Sequence, residues 1–253
     1  MNSQMNPAQF LLAIPVYNEE TYVDHVLDKV RRYIPNVLVV DDGSTDGTAR
    51  RLAAYPDVTV LRHMENHGYG KSLADAIGYA RRHDFPWLIT MDCDGQHNPA
   101  CLPAFVQAAQ TGEADIISGT RYPAGRRVHA SVPADRLLIN REVTAILNKR
   151  LGLNLTDAFC GYKAYRVQAL RNLCITVPGY AMPIQLWVQA AAMHLSISEL
   201  PVELIYNDPN RHFGGMLDDP AQRLQHYLDV LESELARYQL ALMATGPGCA
   251  SCS

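Results

Sequence analysis

The sequence predicts a doubly wound α/β fold, a mostly parallel sheet flanked by helices. Three observations predict it. Between residues 10 and 119, short apolar runs alternate five times with stretches of helical periodicity. Those runs are continuously apolar, as strands buried on both faces are. Several of them end in a cluster of Asp, Asn, Ser or Gly, as expected where strands hand over to helices at one sheet edge.

Phe10 to Val16 is the first apolar run, and Val23, Val26, Leu27, Val30 and Ile34 then fall at helical spacing. Asn18 is expected to cap that helix, with Glu19 and Glu20 in its first turn. Val37 to Val40 is a second strand ending in Asp41-Asp-Gly-Ser-Thr-Asp-Gly47, where Ser44 and Asp46 are expected helix caps. A short helix over Thr48 to Ala54 precedes a third strand, Val58 to Leu61. Leu73, Ala76, Ile77 and Ala80 form one helix face, and the strand Pro86 to Met91 runs straight into Asp92-Cys-Asp94. Asn98-Pro99 has the residues of a helix start. Leu102, Phe105, Val106 and Ala109 mark the next helix, followed by the strand Ala114 to Gly119.

The second half is less regular. Tyr122 to Asp135 reads as a long loop, Ile139 to Leu147 as a helix, and Cys160 to Tyr165 and Ile197 to Tyr206 as strands around a helix at Pro183 to Met193. Asn207 to Asp219 is rich in breakers. An amphipathic helix over about 219–240 carries Leu224, Tyr227, Leu228, Leu231, Leu235 and Tyr238 on one face, and 243–253 reads as a disordered tail. The expectation is a single domain over 1–253 with its core at about 10–215.

With 48% hydrophobic and 19% charged residues and a formal net charge of −4, the chain has no global basic character that would call for nucleic acid. Its six cysteines are scattered and do not form a disulfide framework, which points to a reducing compartment. Cys249-Ala-Ser-Cys252 lacks a second ligand pair and is read as part of the tail. No leader pattern is visible at the start, and Tyr180 to Leu195 is interrupted by Gln185 and Gln189, short of a membrane span. The expected location is cytoplasmic, free or peripheral at the cytoplasmic membrane.

Asp92 and Asp94 are spaced so that both carboxylates can turn toward one hard divalent cation, Mg²⁺ or Mn²⁺, with positions left for phosphate oxygens. Acid clusters after strands one, two and four, and Arg121 after strand five, would collect at one sheet edge. Such charge is costly unless a cation and a polar ligand neutralise it. Gly68-Tyr-Gly-Lys-Ser72 is not a P-loop, because Glu65 stands where the first Gly is required. A dinucleotide fingerprint after the first strand is also missing. His67 and His97 flank the region and are read as structural.

In order and spacing, six stretches resemble family 2 glycosyltransferases of the GT-A fold, closest to the polyprenyl- or dolichol-phosphate mannose synthase branch. They are Pro15-Val-Tyr-Asn-Glu19, Asp41-Asp-Gly-Ser-Thr-Asp-Gly47, Asn66-His-Gly-Tyr-Gly-Lys71, Asp92-Cys-Asp-Gly-Gln96, Gly119-Thr-Arg-Tyr122 and Asp157-Ala-Phe-Cys-Gly-Tyr162. The resemblance implies an inverting, metal-dependent transfer of a hexosyl group from a GDP- or UDP-sugar to a polyprenyl phosphate or an envelope-glycan hydroxyl. It implies donor contacts at Pro15, Tyr17, Glu19, Val40, Asp42, Lys71 and Cys93, metal contacts at Asp92, Asp94 and Gln96, and acceptor contacts at Arg121, Arg136 and Arg211. A phosphate acceptor is already anionic and needs no base. A hydroxyl acceptor would need a carboxylate to take its proton, and Asp157 is the candidate by position.

Two positions depart from that branch: Met216-Leu217 stands where Ser-Lys is usual, and Gln185 where an acid is common. The acceptor therefore stays open, as do a membrane partner protein and a second copy of the chain. Two rivals remain at this point. A sugar nucleotidyltransferase would carry a Gly-rich basic loop where this chain has Asn18-Glu-Glu20; a non-catalytic nucleotide-sugar-binding subunit would not need Asp92, Asp94 and Arg121.

Overall fold

The computed structural model describes residues 6–125, 132–203, 205 and 215–244. The first half follows the expected alternation. β1 (Phe10–Val16), β2 (Asn36–Asp41), β3 (Thr59–Arg62), β4 (Trp87–Thr90) and β5 (Ile116–Thr120) are separated by α1 (Val23–Val30), α2 (Thr48–Leu52), α3 (Tyr69–Arg82) and α4 (Leu102–Thr111). The second half adds α5 (Ala134–Leu151), β6 (Lys163–Arg166), α6 (Met182–Ala192), β7 (Ile197–Pro201) and α7 (Pro220–Ala244). The two late strands are shorter than their apolar runs imply. The expected tail begins inside α7, which reaches Ala244, and 245–253 lies outside the described residues.

All seven strands form one sheet in the order β3-β2-β1-β4-β6-β5-β7. β1 pairs in parallel with β2, Pro15 opposite Val40, and with β4, Leu11 opposite Leu88. β6 is the exception: it runs antiparallel between β4 and β5, with Ala164 opposite both Ile89 and Ile117. It fills a place that strict alternation would have assigned to β5.

Period-two alternation sorts the central strands' side chains onto two cores. Leu11, Ala13, Leu38, Val40 and Leu88 pack with α3, α5, α6 and α7 around the fully buried Trp187. Phe10, Leu12, Ile14, Val39 and Ile89 pack on the other face with α1 and α4, around Phe105 and Tyr162. β1 is almost wholly buried because both faces are covered. The edge strands β3 and β7 are partly exposed, and β7 ends at Pro201, which has no N–H to offer a further ladder.

Local chemistry departs from expectation at Asn18. It does not cap α1, which starts only at Val23 without a side-chain cap. Asn18 takes a left-handed conformation, φ 55°, and its Oδ1 accepts from Thr45 N at 2.8 Å and Asp46 N at 3.3 Å. Ser44 Oγ in turn accepts the Asn18 N–H at 3.0 Å, so the loops after β1 and β2 are bonded to each other. Asp46 does act at a helix start, accepting Thr48 N at 2.9 Å. Asn98 caps as expected: its Oδ1 accepts Ala100 N at 3.0 Å, with Pro99 opening a 3₁₀ turn into α4.

Candidate active site

Chain order and sheet order diverge at β1, whose successor β2 lies on one side and β4 on the other. Loops leaving the carboxyl ends of β1 and β4 therefore splay apart and leave a crevice. A cavity of about 670 Å³ opens there, lined by Pro15, Tyr17 and Glu19 after β1, Asp42 after β2, and Asp92 to Gln96 after β4. Arg121 after β5 also lines it. Because β6 is antiparallel, it brings its beginning to this edge, which is why Cys160, Gly161 and Lys163 join the wall.

On the β2 side, the Asp42 carboxylate is held by its own chain. Oδ1 accepts His67 N at 2.9 Å, Oδ2 accepts Gly68 N at 2.7 Å, and His63 Nδ1 lies 2.6 Å from Oδ1. The same imidazole reaches Asp75 with Nε2 at 2.8 Å. Asp42 is thereby fixed in one orientation at the cavity wall, and a carboxylate with about four acceptor sites retains capacity for a further donor. The Gly68-Tyr-Gly70 stretch is explained by close packing: Gly70 N donates to the Pro178 carbonyl at 2.6 Å, and side chains at Gly68 or Gly70 would meet backbone oxygens there.

The stretch after β4 is equally constrained. Gly95 turns the chain at φ 72°, and Gln96 N donates to Asp94 Oδ1 at 2.9 Å. Buried His97 accepts the Asp92 N–H on Nδ1 at 3.2 Å and lies tilted beside Tyr162, ring centroids 5.2 Å apart. Asp92 lies against Gly161, where a Cβ would sit 2.6 Å from Oδ1. That Oδ1 is buried and has no hydrogen-bond partner. Among the described residues no three His, Cys, Asp or Glu side chains group to hold a metal by themselves. The donor set is two carboxylates and the Gln96 amide, one carboxylate oxygen being orphaned. It fits a hard cation that takes its remaining oxygens from a ligand and from water.

At the other end, Arg121 lies over Asp157. Five donors converge on this carboxylate: Arg121 Nε at 2.6 Å and N at 3.1 Å on Oδ2, and Arg121 Nη2 at 2.9 Å, Asn140 Nδ2 at 2.8 Å and Phe159 N at 3.1 Å on Oδ1. Burial by itself would raise the Asp157 carboxyl, but Arg121 and Asn140 hold it well below the usual carboxylate range. Asp157 is fully buried and not part of the cavity lining. The structure does not place Asp157 as expected of a general base: its carboxylate is off the cavity wall and both oxygens are already occupied by donors. Asp157 positions Arg121. Glu199 of β7 fastens the loop in turn, accepting Thr156 N at 2.8 Å and Asp157 N at 3.2 Å.

Two further expectations are displaced. Val40 is in the hydrophobic core and does not line the cavity, because its side chain points off the sheet and not along its edge. Lys71 also lies outside the lining; its ammonium pairs with Asp75 one helical turn on, at 2.5 Å. Cys93 and Arg136 do line the cavity, while Arg211 falls outside the described residues.

Other lining residues were not among those expected from the sequence. Lys163 is buried, donates to the Cys160 carbonyl and sits 5.4 Å from the Trp187 ring. Burial pulls its ammonium below the ordinary lysine range, with Cys160 and Asp157 acting against this. Tyr180 and Tyr227 come from distant elements, and Arg223 from α7. The i, i+4 pair Arg223 and Tyr227 was the one available clue, since it puts a cation and an aromatic ring on the buried face of that helix.

A seven-stranded, mostly parallel sheet with a cavity at the carboxyl ends of its strands is the architecture of the GT-A fold. The chain belongs to Glycosyl transferase family 2, whose profile matches residues 12–174. It is 34% identical over 221 residues to the undecaprenyl-phosphate mannosyltransferase of Micrococcus luteus, covering 83% of this chain and 89% of that one. To the polyprenol monophosphomannose synthase of Mycolicibacterium smegmatis it is 33% identical over 202 residues, 76% of each chain. Among solved structures, glucosyl-3-phosphoglycerate synthase from Mycobacterium tuberculosis with phosphoglyceric acid superposes with a TM-score of 0.70 at 22% identity, covering 90% of this chain and 80% of that one. The same enzyme with Mn²⁺, uridine diphosphate and phosphoglyceric acid gives 0.66 at 19%, over 90% and 78% of the two chains. Among the described residues no helix is long and apolar enough to cross a membrane.

Proposed function

We propose that this glycosyltransferase is metal-dependent and inverting, and moves a hexosyl group, mannosyl in its two similar relatives, from a nucleoside-diphosphate sugar to a polyprenyl phosphate. The observation that carries the acceptor assignment is the distribution of charge in the cavity. Its acidic lining residues, Glu19, Asp42, Asp92 and Asp94, all follow β1, β2 and β4, whereas Arg121, Arg136 and Arg223 come from β5, α5 and α7. Among the described residues, Asp157 is committed to Arg121 and Asp135 to Arg223, and neither carboxylate lines the cavity. An acceptor that arrives anionic has no need of a base, and guanidinium forks match a phosphate.

In this reading the nucleoside lies against Tyr17 and Asp42, and Asp92, Asp94 and Gln96 would hold a Mg²⁺ or Mn²⁺ ion. When bound, that ion supplies Lewis-acid neutralisation of the departing nucleotide. Arg121, held rigid by Asp157, orients the acceptor phosphate so that its oxygen approaches the anomeric carbon opposite the leaving group, which inverts the centre. Rigidity matters because the guanidinium is in place before the substrate arrives.

Thermal melts with GDP or UDP, with and without Mn²⁺, test the donor half. A nucleotide at a hundred times its dissociation constant stabilises by about 2.7 kcal/mol. Stabilisation that requires metal and disappears in Asp94→Ala is expected. If neither nucleotide shifts the melt, donor binding is wrong. Mannosyl transfer to geranyl phosphate but not to geraniol then tests the acceptor half.

A further inference from the structure

Arg223 is a charged side chain only 3% exposed, yet it lines the same cavity as Arg121 and Arg136. Its guanidinium is gripped from outside the cavity: Nη2 donates to Asp135 Oδ2 at 2.6 Å and Nη1 to the Leu217 carbonyl at 2.9 Å. Asp135 belongs to the first turn of α5 and directly precedes Arg136. The arrangement repeats what is seen at Arg121, a cavity-lining guanidinium oriented by a carboxylate of the protein. Tyr227, one turn further along α7, is buried against Phe159 with ring centroids 4.8 Å apart and also lines the cavity. Burial pushes its hydroxyl up to about 12, while the charges of Arg223 and Arg136 act in the opposite sense.

A mere fastening of α7 to α5 would not call for this residue type. Hydrophobic residues tie two helices at least as well, and a buried ion pair is weak evidence for stability. Nor would a fastening need to face the cavity. Beside Arg223, the stretch Gly215–Asp218 contributes a backbone carbonyl and has no Lys or Arg of its own. The aromatic and apolar wall next to it, from Ile139, Phe159, Tyr180 and Tyr227, suits the first isoprene units behind a phosphate better than a polar sugar.

We propose that Arg223 is an acceptor-binding residue: it presents one edge of its guanidinium to the phosphomonoester of the acceptor, with Asp135 fixing that orientation. This deepens the acceptor half of the proposed function and rests on it. Removing a charge-assisted contact of this kind weakens binding by about ten- to a hundredfold.

The test measures acceptor KM for geranyl phosphate in wild type, Arg223→Gln and Arg223→Lys, with donor KM alongside. Arg223→Gln is expected to raise KM for geranyl phosphate by about tenfold or more while the donor KM stays put. Arg223→Lys keeps the charge without the fork and should fall between. Binding of geraniol, which lacks the phosphate, should be unaffected by either change. Whether wild type also accepts glycerol phosphate separates a lipid headgroup from a soluble phosphomonoester as the occupant. A lowered melting temperature with unchanged acceptor KM would make Arg223 a structural tie and overturn the proposal. Should Arg223→Gln fail to fold, Arg223→Lys carries the test, and a wild-type acceptor KM there overturns it equally. Wild type inert toward geranyl phosphate would instead sink the polyprenyl-phosphate reading itself.

Discussion

Replacing Asp157 by Asn separates an orienting carboxylate from a proton acceptor, since the two roles predict opposite combinations of stability and activity. The carboxylate is fully buried and Arg121 is 18% exposed, so solvent screening is slight. Five donors point at its two oxygens. An amide offers a single oxygen, so whichever way Asn faces, its NH₂ confronts at least two of those donors. Arg121 also loses its counter-charge. Breaking a buried pair from one side costs about 3–5 kcal/mol, and for a chain of this length that lowers the melting temperature by roughly 6–20 °C. The expected outcome is a fall in this range by calorimetry, with a matching drop in the urea midpoint and a rise in acceptor KM.

The pH dependence of that difference follows from the sign of the shift. Asp157 is held below its unfolded value, so its contribution is fully present above about pH 4 and disappears as pH falls through the folded pKa. The gap between wild type and Asp157→Asn should therefore be constant from about pH 8 to 5 and narrow only in strong acid. A variant that melts within about 2 °C of wild type yet loses transfer by about a hundredfold or more would refute the positioning role and restore Asp157 as a base.

Two other substitutions test neighbouring features. Gly161→Ala would drive a methyl into the Asp92 carboxylate, and should weaken metal-dependent nucleotide binding by about tenfold, measured by titrating Mn²⁺ in the presence of nucleotide; unchanged affinity would show that Asp92 does not bind the ion from its present position. Gln185→Glu should destabilise by about 1–3 kcal/mol in denaturant titrations, because the buried amide donates to Glu234 Oε1 at 2.8 Å and a second carboxylate would replace that bond with repulsion. Wild-type stability at neutral pH would mean the Gln185–Glu234 contact is not made.

That second case concerns one of the two departures noted in the sequence. In this structure Gln185 faces a carboxylate, Glu234, brought from α7 against α6. The Gln185 Oε1 accepts from Thr176 N at 2.8 Å and Val177 N at 3.0 Å, so the amide bridges a loop and two helices. Forty-nine residues separate the partners, and no local pattern announces such a contact.

Local information was sufficient for the strand–helix alternation to Thr120 and for the acidic loop ends. A buried strand must be continuously apolar, and a strand end facing a polar ligand must change character abruptly; both are read one residue at a time. Asp92 and Asp94 were legible for that reason. What only the tertiary structure decided was how distant pieces meet. The antiparallel insertion of β6 depends on pairings with β4 and β5, and it alone brings Gly161 under Asp92 and Lys163 into the wall. Asn18 looked like a cap because its neighbours favour one, but the β2 loop offered its side chain better partners. Lys71 and Val40 carried the right sequence context and the wrong direction. Arg223 had no motif, and only its i, i+4 spacing to Tyr227 hinted at the buried face of α7. Its place in the cavity comes from the packing of α7 against α5 and α6, an outcome of long-range burial that composition and spacing do not encode.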